Sequence, residues 1–301
     1  MIEQSLLNAM LQTGLLAITI PVVLIVAWKM YTKRSLVPFF VGIMVFITFS
    51  RMLEMIPHAF FLLSNNPISN AINANAVLYV IYAALVAALF EETGRYLAFR
   101  FVLTKHPNKE TAVTYGIGHG GIECILVLGV TYIQYYAYGQ LINSGSMDKM
   151  LSAYKDSEQS VNALKQLITN IKGVTQFTCY MADLERISAI MVQISLSILV
   201  FQAVYVAGRK YMYWIAVILH FLMDVPAALY QKKLLGLLPT EIILFVYAIL
   251  VLALGIKIYQ NLKTGGSPSD EIKKKNQKAF RDIARGNYQS AKEKQKKDET
   301  K

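Results

Sequence analysis

At 301 residues and 33.8 kDa the chain could form two soluble domains, but 55% hydrophobic and only 16% charged residues, with a mean hydropathy of +0.41, exclude that class. Soluble folds cannot hide so much apolar surface. The net charge of +11 is uneven: residues 262–301 hold 12 Lys/Arg against 6 Asp/Glu, while the first 261 hold 18 against 13.

Stretches of about 20 apolar residues, the length a helix needs to cross a bilayer, recur seven times, near 8–30, 36–62, 73–103, 111–141, 186–208, 211–231 and 240–261. The expected fold is therefore an all-α polytopic bundle of about seven transmembrane helices. The flank of the first span, MIEQSLLNAM, has no basic residue and no small-residue cleavage site follows, so the span is read as a retained helix and not a signal peptide. Lys29, Lys33 and Arg34 follow span one, Arg100, Lys105 and Lys109 separate spans three and four, and Arg209 and Lys210 separate five and six. Retention of Lys and Arg on the cytoplasmic side then places the N-terminus out and the C-terminus in, in a bacterial plasma membrane. Lys232 and Lys233, on the opposite side, are the discordant signal.

Residues 142–185 form an extracytoplasmic segment. Within it, Met150, Leu151, Tyr154, Val161, Leu164, Leu167, Ile168 and Ile171 recur at helical spacing up to Gly173, predicting an amphipathic helix or helical pair. The domain division is thus 1–261 for the membrane bundle and 262–301 for a basic, disordered cytoplasmic tail, suited to anionic lipid headgroups. The basic residues flank apolar spans, so nucleic acid is not expected as a partner. Two cysteines, Cys124 and Cys179, are too few for a disulfide-stapled scaffold, and Cys124 reads as a packing residue, because apolar surroundings disfavour a thiolate.

Ionisable side chains inside spans are costly and demand partners or a function. Span two carries Arg51, Glu54 and His58; span three Glu91, Glu92 and Arg95; span four His119 and Glu123; span six His220 and Asp224. Residues four apart share a helix face, which predicts Glu91 beside Arg95, His119 beside Glu123 and His220 beside Asp224. Glu92, pointing about 100° away from Glu91, is left to find another partner. Arg51 and Glu54 are expected to neutralise each other. At about 1.5 Å per residue, Glu91 lies roughly 15–18 Å from the cytoplasmic end of its span, His119 about 12 Å and His220 about 13 Å from theirs, so the three faces can meet. Two imidazoles with carboxylates suit zinc or another divalent metal, with a further carboxylate as general base. Gly116, Gly118, Gly120 and Gly121 surround His119 and allow close helix packing or passage of a substrate backbone.

The strings FEETGR, GIGHGGIE and HFLMD resemble the three signatures of the YhfC family of intramembrane metalloproteases, related to CAAX-prenyl-protease and bacteriocin-processing (CPBP) proteins and to PrsW proteases. The resemblance spans about 140 residues. Glu91, Glu92 and Arg95 match the first motif, Tyr115 and His119 the His form of the second, Glu123 the Glu position of PrsW-like proteins, and His220 and Asp224 the third. It implies a peptidase of the metallo or glutamate type acting on a membrane protein or peptide. Glu91 or Glu92 would activate water, with Arg95, His119 and His220 as further catalytic candidates and His119, Glu123, His220 and Asp224 as candidate ligands of a divalent metal, zinc foremost. The same acids and histidines would also serve a proton- or ion-coupled transporter, although no inverted repeat supports it, or persist in a non-catalytic scaffold.

Overall fold

Long apolar runs with few Gly or Pro interruptions become helices because, away from water, only the helix satisfies every backbone group within one segment. The computed structural model describes residues 1–262 and the short stretches 280–281 and 285–286, so the expectations placed on the tail fall almost wholly outside the described residues. In chain order the helices are α1 (Gln4–Thr32), α2 (Val37–Leu63), α3 (Pro67–Ala74), α4 (Ala76–Val102), α5 (Glu110–Asn143), α6 (Ser146–Ala153), α7 (Glu158–Gly173), α8 (Gln176–Tyr205), α9 (Met212–Gln231) and α10 (Leu237–Asn261). Seven of them, α1, α2, α4, α5, α8, α9 and α10, are long and apolar enough to cross a membrane. No strand occurs among the described residues. Outward-facing side chains such as Val22, Val23 and Val26 on α1, and Ile242, Val246 and Leu250 on α10, form the apolar exterior such a bundle offers to lipid.

The fifth span begins earlier than its apolar run suggests, at Gln176 and not near 186. Thr175 and Thr178 explain the difference. Each side-chain oxygen accepts the other residue's backbone N–H, at 3.1 and 2.8 Å, and this capping box starts the helix in polar sequence that a hydropathy count passes over. The stretch between α5 and α8 holds the helical pair α6 and α7, α7 ending at Gly173. Ile2 N–H donates to Asn143 Oδ1 at 2.7 Å, so the N-terminus and the end of α5 share a face of the bundle. Lys232 is tied at that same face, with Nζ donating to Asn73 O at 2.9 Å and lying 4.1 Å from the Tyr79 ring centroid. Those contacts give this discordant lysine a structural place.

At the centre stands α8, packed against α1, α4, α5, α9 and α10. The glycines of α5 are what let neighbours approach. A Cβ on Gly116 would stand 2.6 Å from Ile194 Cα of α8, one on Gly121 2.7 Å from Pro21 of α1, and one on Gly118 would collide with the Phe39 carbonyl of α2. These glycines therefore serve three-sided backbone packing around His119.

On α2 the ladder widens over Phe46–Leu53, where Glu54 N–H reaches back to Phe49 O at 2.9 Å, five residues away. Pro57 follows, with no N–H to give the carbonyl four residues earlier. Wide turns of this kind re-aim side chains, and here they direct Ser50 towards α4.

Candidate active site

Three helices meet at α8 through their polar faces, and the partners differ from those that spacing alone assigns. Glu91, on α4, is buried and accepts three hydrogen bonds: from Ser50 Oγ of α2 at 3.1 Å, from Gln193 Nε2 of α8 at 3.0 Å, and from His119 Nε2 of α5 at 2.9 Å. Arg95, expected beside Glu91, pairs with Glu92 instead, Nη1 to Oε1 at 3.4 Å. The i,i+3 neighbour wins because both oxygens of Glu91 are taken by donors from α2, α5 and α8, while Glu92 turns to His220 of α9 and leaves its oxygen within reach of Arg95. Glu92 Oε1 also accepts from His220 Nδ1 at 2.8 Å. Arg95 is fully buried and donates to both the backbone carbonyl and the side-chain oxygen of Gln193.

Glu123 likewise departs from expectation. It shares a face with His119, yet it leans towards α8, accepting from Arg186 Nη1 and from Gln193 Nε2, each at 3.0 Å. As a candidate metal ligand it is engaged on both oxygens, Oε1 by Arg186 and Oε2 by Gln193. Asp224 does keep its place one turn from His220, Oδ2 to Nε2 at 3.7 Å, and its side chain is 32% exposed, the most open of the group. Further along α2, Arg51 is exposed and Glu54 pairs with His58 at 3.1 Å, whose other ring nitrogen lies 3.1 Å from Tyr82 Oη. This third cluster thus replaces the expected Arg51–Glu54 pair.

Gln193 and Arg186 are the residues that sequence reading missed. They lie seven apart on α8, hence on one helix face, and an intramembrane arginine with a glutamine two turns on was the available signal. Both amide hydrogens of Gln193 go to carboxylates and its oxygen to Arg95, so charge alone fixes the orientation of the amide. The imidazole of His119 is fully buried, stacked on Tyr115 with ring centroids 5.8 Å apart and edge-on to Phe46 at 5.3 Å. With Nε2–H given to Glu91, the neutral ring carries its lone pair on Nδ1, which has no partner among the described residues.

Fold and site together define a class: an all-helical integral membrane protein of seven spans whose carboxylates and imidazoles are gathered inside the bundle. The chain belongs to the YhfC family, whose model, described as YhfC intramembrane metalloprotease, matches residues 16–248. It is similar to the "Uncharacterized membrane protein YhfC" of Bacillus subtilis (strain 168), with 34% identity over 236 residues that cover 78% of this chain and 89% of the relative. No solved structure matches the chain.

The family's description implies a divalent metal. Among the described residues no group of three or more His, Cys, Asp and Glu side chains is arranged as a metal site. The donor chemistry fits one at a single point. His220 Nδ1 gives its proton to Glu92, so in the neutral ring Nε2 carries the lone pair, and it faces Glu91 Oε2 at 3.8 Å and Asp224 Oδ2 at 3.7 Å. A lone pair and two carboxylates repel one another unless a proton or a cation lies among them. Ligand atoms around tetrahedral zinc stand roughly 3.3–3.4 Å apart for bonds of about 2.0–2.1 Å, close to the separation of His220 Nε2 from Asp224 Oδ2. Glu92 holding the far nitrogen of His220 is the arrangement that orients metal-ligating imidazoles.

Proposed function

We propose that the protein is an intramembrane peptidase that hydrolyses peptide bonds of membrane-embedded proteins or peptides. The observation that carries this reading is Glu91, a buried carboxylate held by Ser50, Gln193 and His119 and facing His220 from 3.8 Å. An acid fixed by three donors is pre-oriented, and it needs no further reorganisation when a proton arrives.

In the proposed reaction Glu91 Oε2 takes a proton from water, and the resulting hydroxide attacks the scissile carbonyl. The C–N bond breaks as that proton passes from Glu91 to the leaving amine. With Glu91, Glu92 and Asp224 all facing its ring, His220 in the imidazolium form donates from Nε2 to the developing oxyanion. Glu92 and Arg95 act through His220: Arg95 anchors Glu92, and Glu92 fixes the ring. In the alternative where a divalent ion is bound, His220 is neutral and its Nε2, with Asp224, would hold the ion, which would supply Lewis-acid polarisation of the scissile carbonyl in place of the imidazolium and leave Glu91 as the base. His119 keeps Glu91 in place from behind.

The test is co-expression of the full chain with a library of single-span membrane proteins, comparing wild type with Glu91→Gln and His220→Ala at matched abundance. Cleavage products present with wild type and lost in both variants support the peptidase. Products unchanged in both variants contradict it, and ion flux through reconstituted protein, abolished by the same variants, would favour a transporter.

A further inference from the structure

A second polar recess lies beside the cluster, on the face of the bundle that carries the N-terminus. It is a cavity of about 300 Å³ between the end of α5, the start of α8, the end of α9 and the start of α10, lined by Tyr132, Thr178, Glu185, Tyr230, Thr240 and Glu241 among others. Glu241 is 3% exposed, makes no side-chain hydrogen bond, and its Oε2 is a buried acceptor with no partner. A carboxylate left so is unfavourable unless a donor or a cation reaches it or it takes up a proton.

Among the described residues no cation is bonded to Glu241. Arg186, next to the lining residue Glu185, is already shared: Nη2 donates to Glu185 Oε1 at 2.5 Å and Nη1 to Glu123 Oε1 at 3.0 Å. One guanidinium thus stands against the carboxylates of Glu123, Glu185 and Glu241. The deficit is local to the cavity, and Tyr132 and Tyr230 are part of its lining, aromatic company that suits an organic cation better than a bare metal ion. Its position is as telling. Ala227, on its wall, is three residues after Asp224 on α9, roughly 4.5 Å along the helix axis. Glu185 connects through Arg186, Glu123 and Gln193 to Glu91 by an unbroken run of hydrogen bonds.

We infer that this cavity is a subsite for a lysine or arginine side chain of the peptide substrate, with Glu241 as the residue that meets the ammonium or guanidinium group and Glu185 as its second acid. The assignment rests on the peptidase reading for the word substrate. It does not rest on that reading for the binding itself.

The experiment uses the full chain in nanodiscs of zwitterionic phosphatidylcholine and four fluorescent apolar hexapeptides that differ at one central position, holding Lys, Arg, Met or Glu. Fluorescence anisotropy should show the Lys and Arg peptides binding at least tenfold tighter than the Met peptide, with the Glu peptide weakest, against no preference in empty nanodiscs. Glu241→Gln should reduce the preference to under twofold, and Glu185→Gln should reduce it partly. Equal binding of the Lys and Met peptides to the wild type, or binding of none, overturns the proposal without recourse to any variant, and leaves Glu241 as an acid that merely favours the start of α10. A basic preference that survives in Glu241→Gln overturns it too. Failure of the peptidase reading would look different: the preference would stand while no peptide was cut.

Discussion

The polar interior has two sides, and Gln193 touches both. On one, Glu91 and Glu92 meet His119 and His220; on the other, Glu123 and Glu185 meet Arg186. Hydrogen-bond distances are alike, although Glu185 is more open, its side chain 30% exposed. The difference lies in what the cation can do. A guanidinium keeps its proton under all ordinary conditions, so the arginine side is a fixed array of charge that locks α5 to α8. An imidazole can give up and regain a proton or bind a cation, so the histidine side can do chemistry. Burial and ion pairing alone would not separate the two, because both sides are buried and paired.

Substitutions should pull the sides apart. The largest expected effect is on the histidine side: Glu91→Gln keeps the size but turns one acceptor oxygen into an amide donor and removes the base, and should lower peptide cleavage by a factor on the order of 10³, with abundance in the membrane retained on immunoblots. Arg186→Leu should act in the opposite way, since it strands buried carboxylates. A loss of about 3–5 kcal/mol, read as a fall in thermal stability of the detergent-solubilised protein, should be relieved in part by adding Glu123→Gln. Next comes Glu92→Gln, which leaves the bundle intact but weakens the hold on His220. A fall of roughly 10–100-fold in kcat with KM little changed would mark it as a positioning residue, whereas an equal loss of stability would place it with the arginine side. Gly116→Ala tests packing alone: a Cβ only 2.6 Å from Ile194 Cα should cost about 1–3 kcal/mol. The smallest effect belongs to His58→Ala, which should change cleavage less than about twofold, because Glu54, His58 and Tyr82 bond to one another and not to the Glu91 cluster.

Much of this was legible in the sequence, for definite reasons. Seven apolar runs could only become helices in lipid, and depth counting from their ends brought Glu91, His119 and His220 to one level. Spacing named the helix faces but not the partners. Residues at i,i+3 and i,i+4 are both neighbours on a helix, so the choice of Glu92 over Glu91 by Arg95 depends on how α4 is rotated against α5, α8 and α9, which no single segment encodes. Ser50 reaches Glu91 because α2 widens ahead of Pro57, a local event invisible to a 3.6-residue count. Gln193 and Arg186 escaped notice because span five was read for its hydropathy, which its polar positions hardly disturb. The glycines around His119 were ambiguous until their neighbours were seen: Gly116, Gly118 and Gly121 face three different helices.

The central claim is that this cluster drives the hydrolysis of a peptide bond with Glu91 as the base. Its most direct test is cleavage in water enriched in oxygen-18 by purified wild-type protein and the Glu91→Gln variant, with the new carboxyl terminus of a membrane-embedded substrate weighed by mass spectrometry. The account predicts one heavy oxygen in that terminus with the wild type and no new terminus with the variant. Failure of the wild type to generate any terminus, or an undiminished yield from Glu91→Gln, would contradict it.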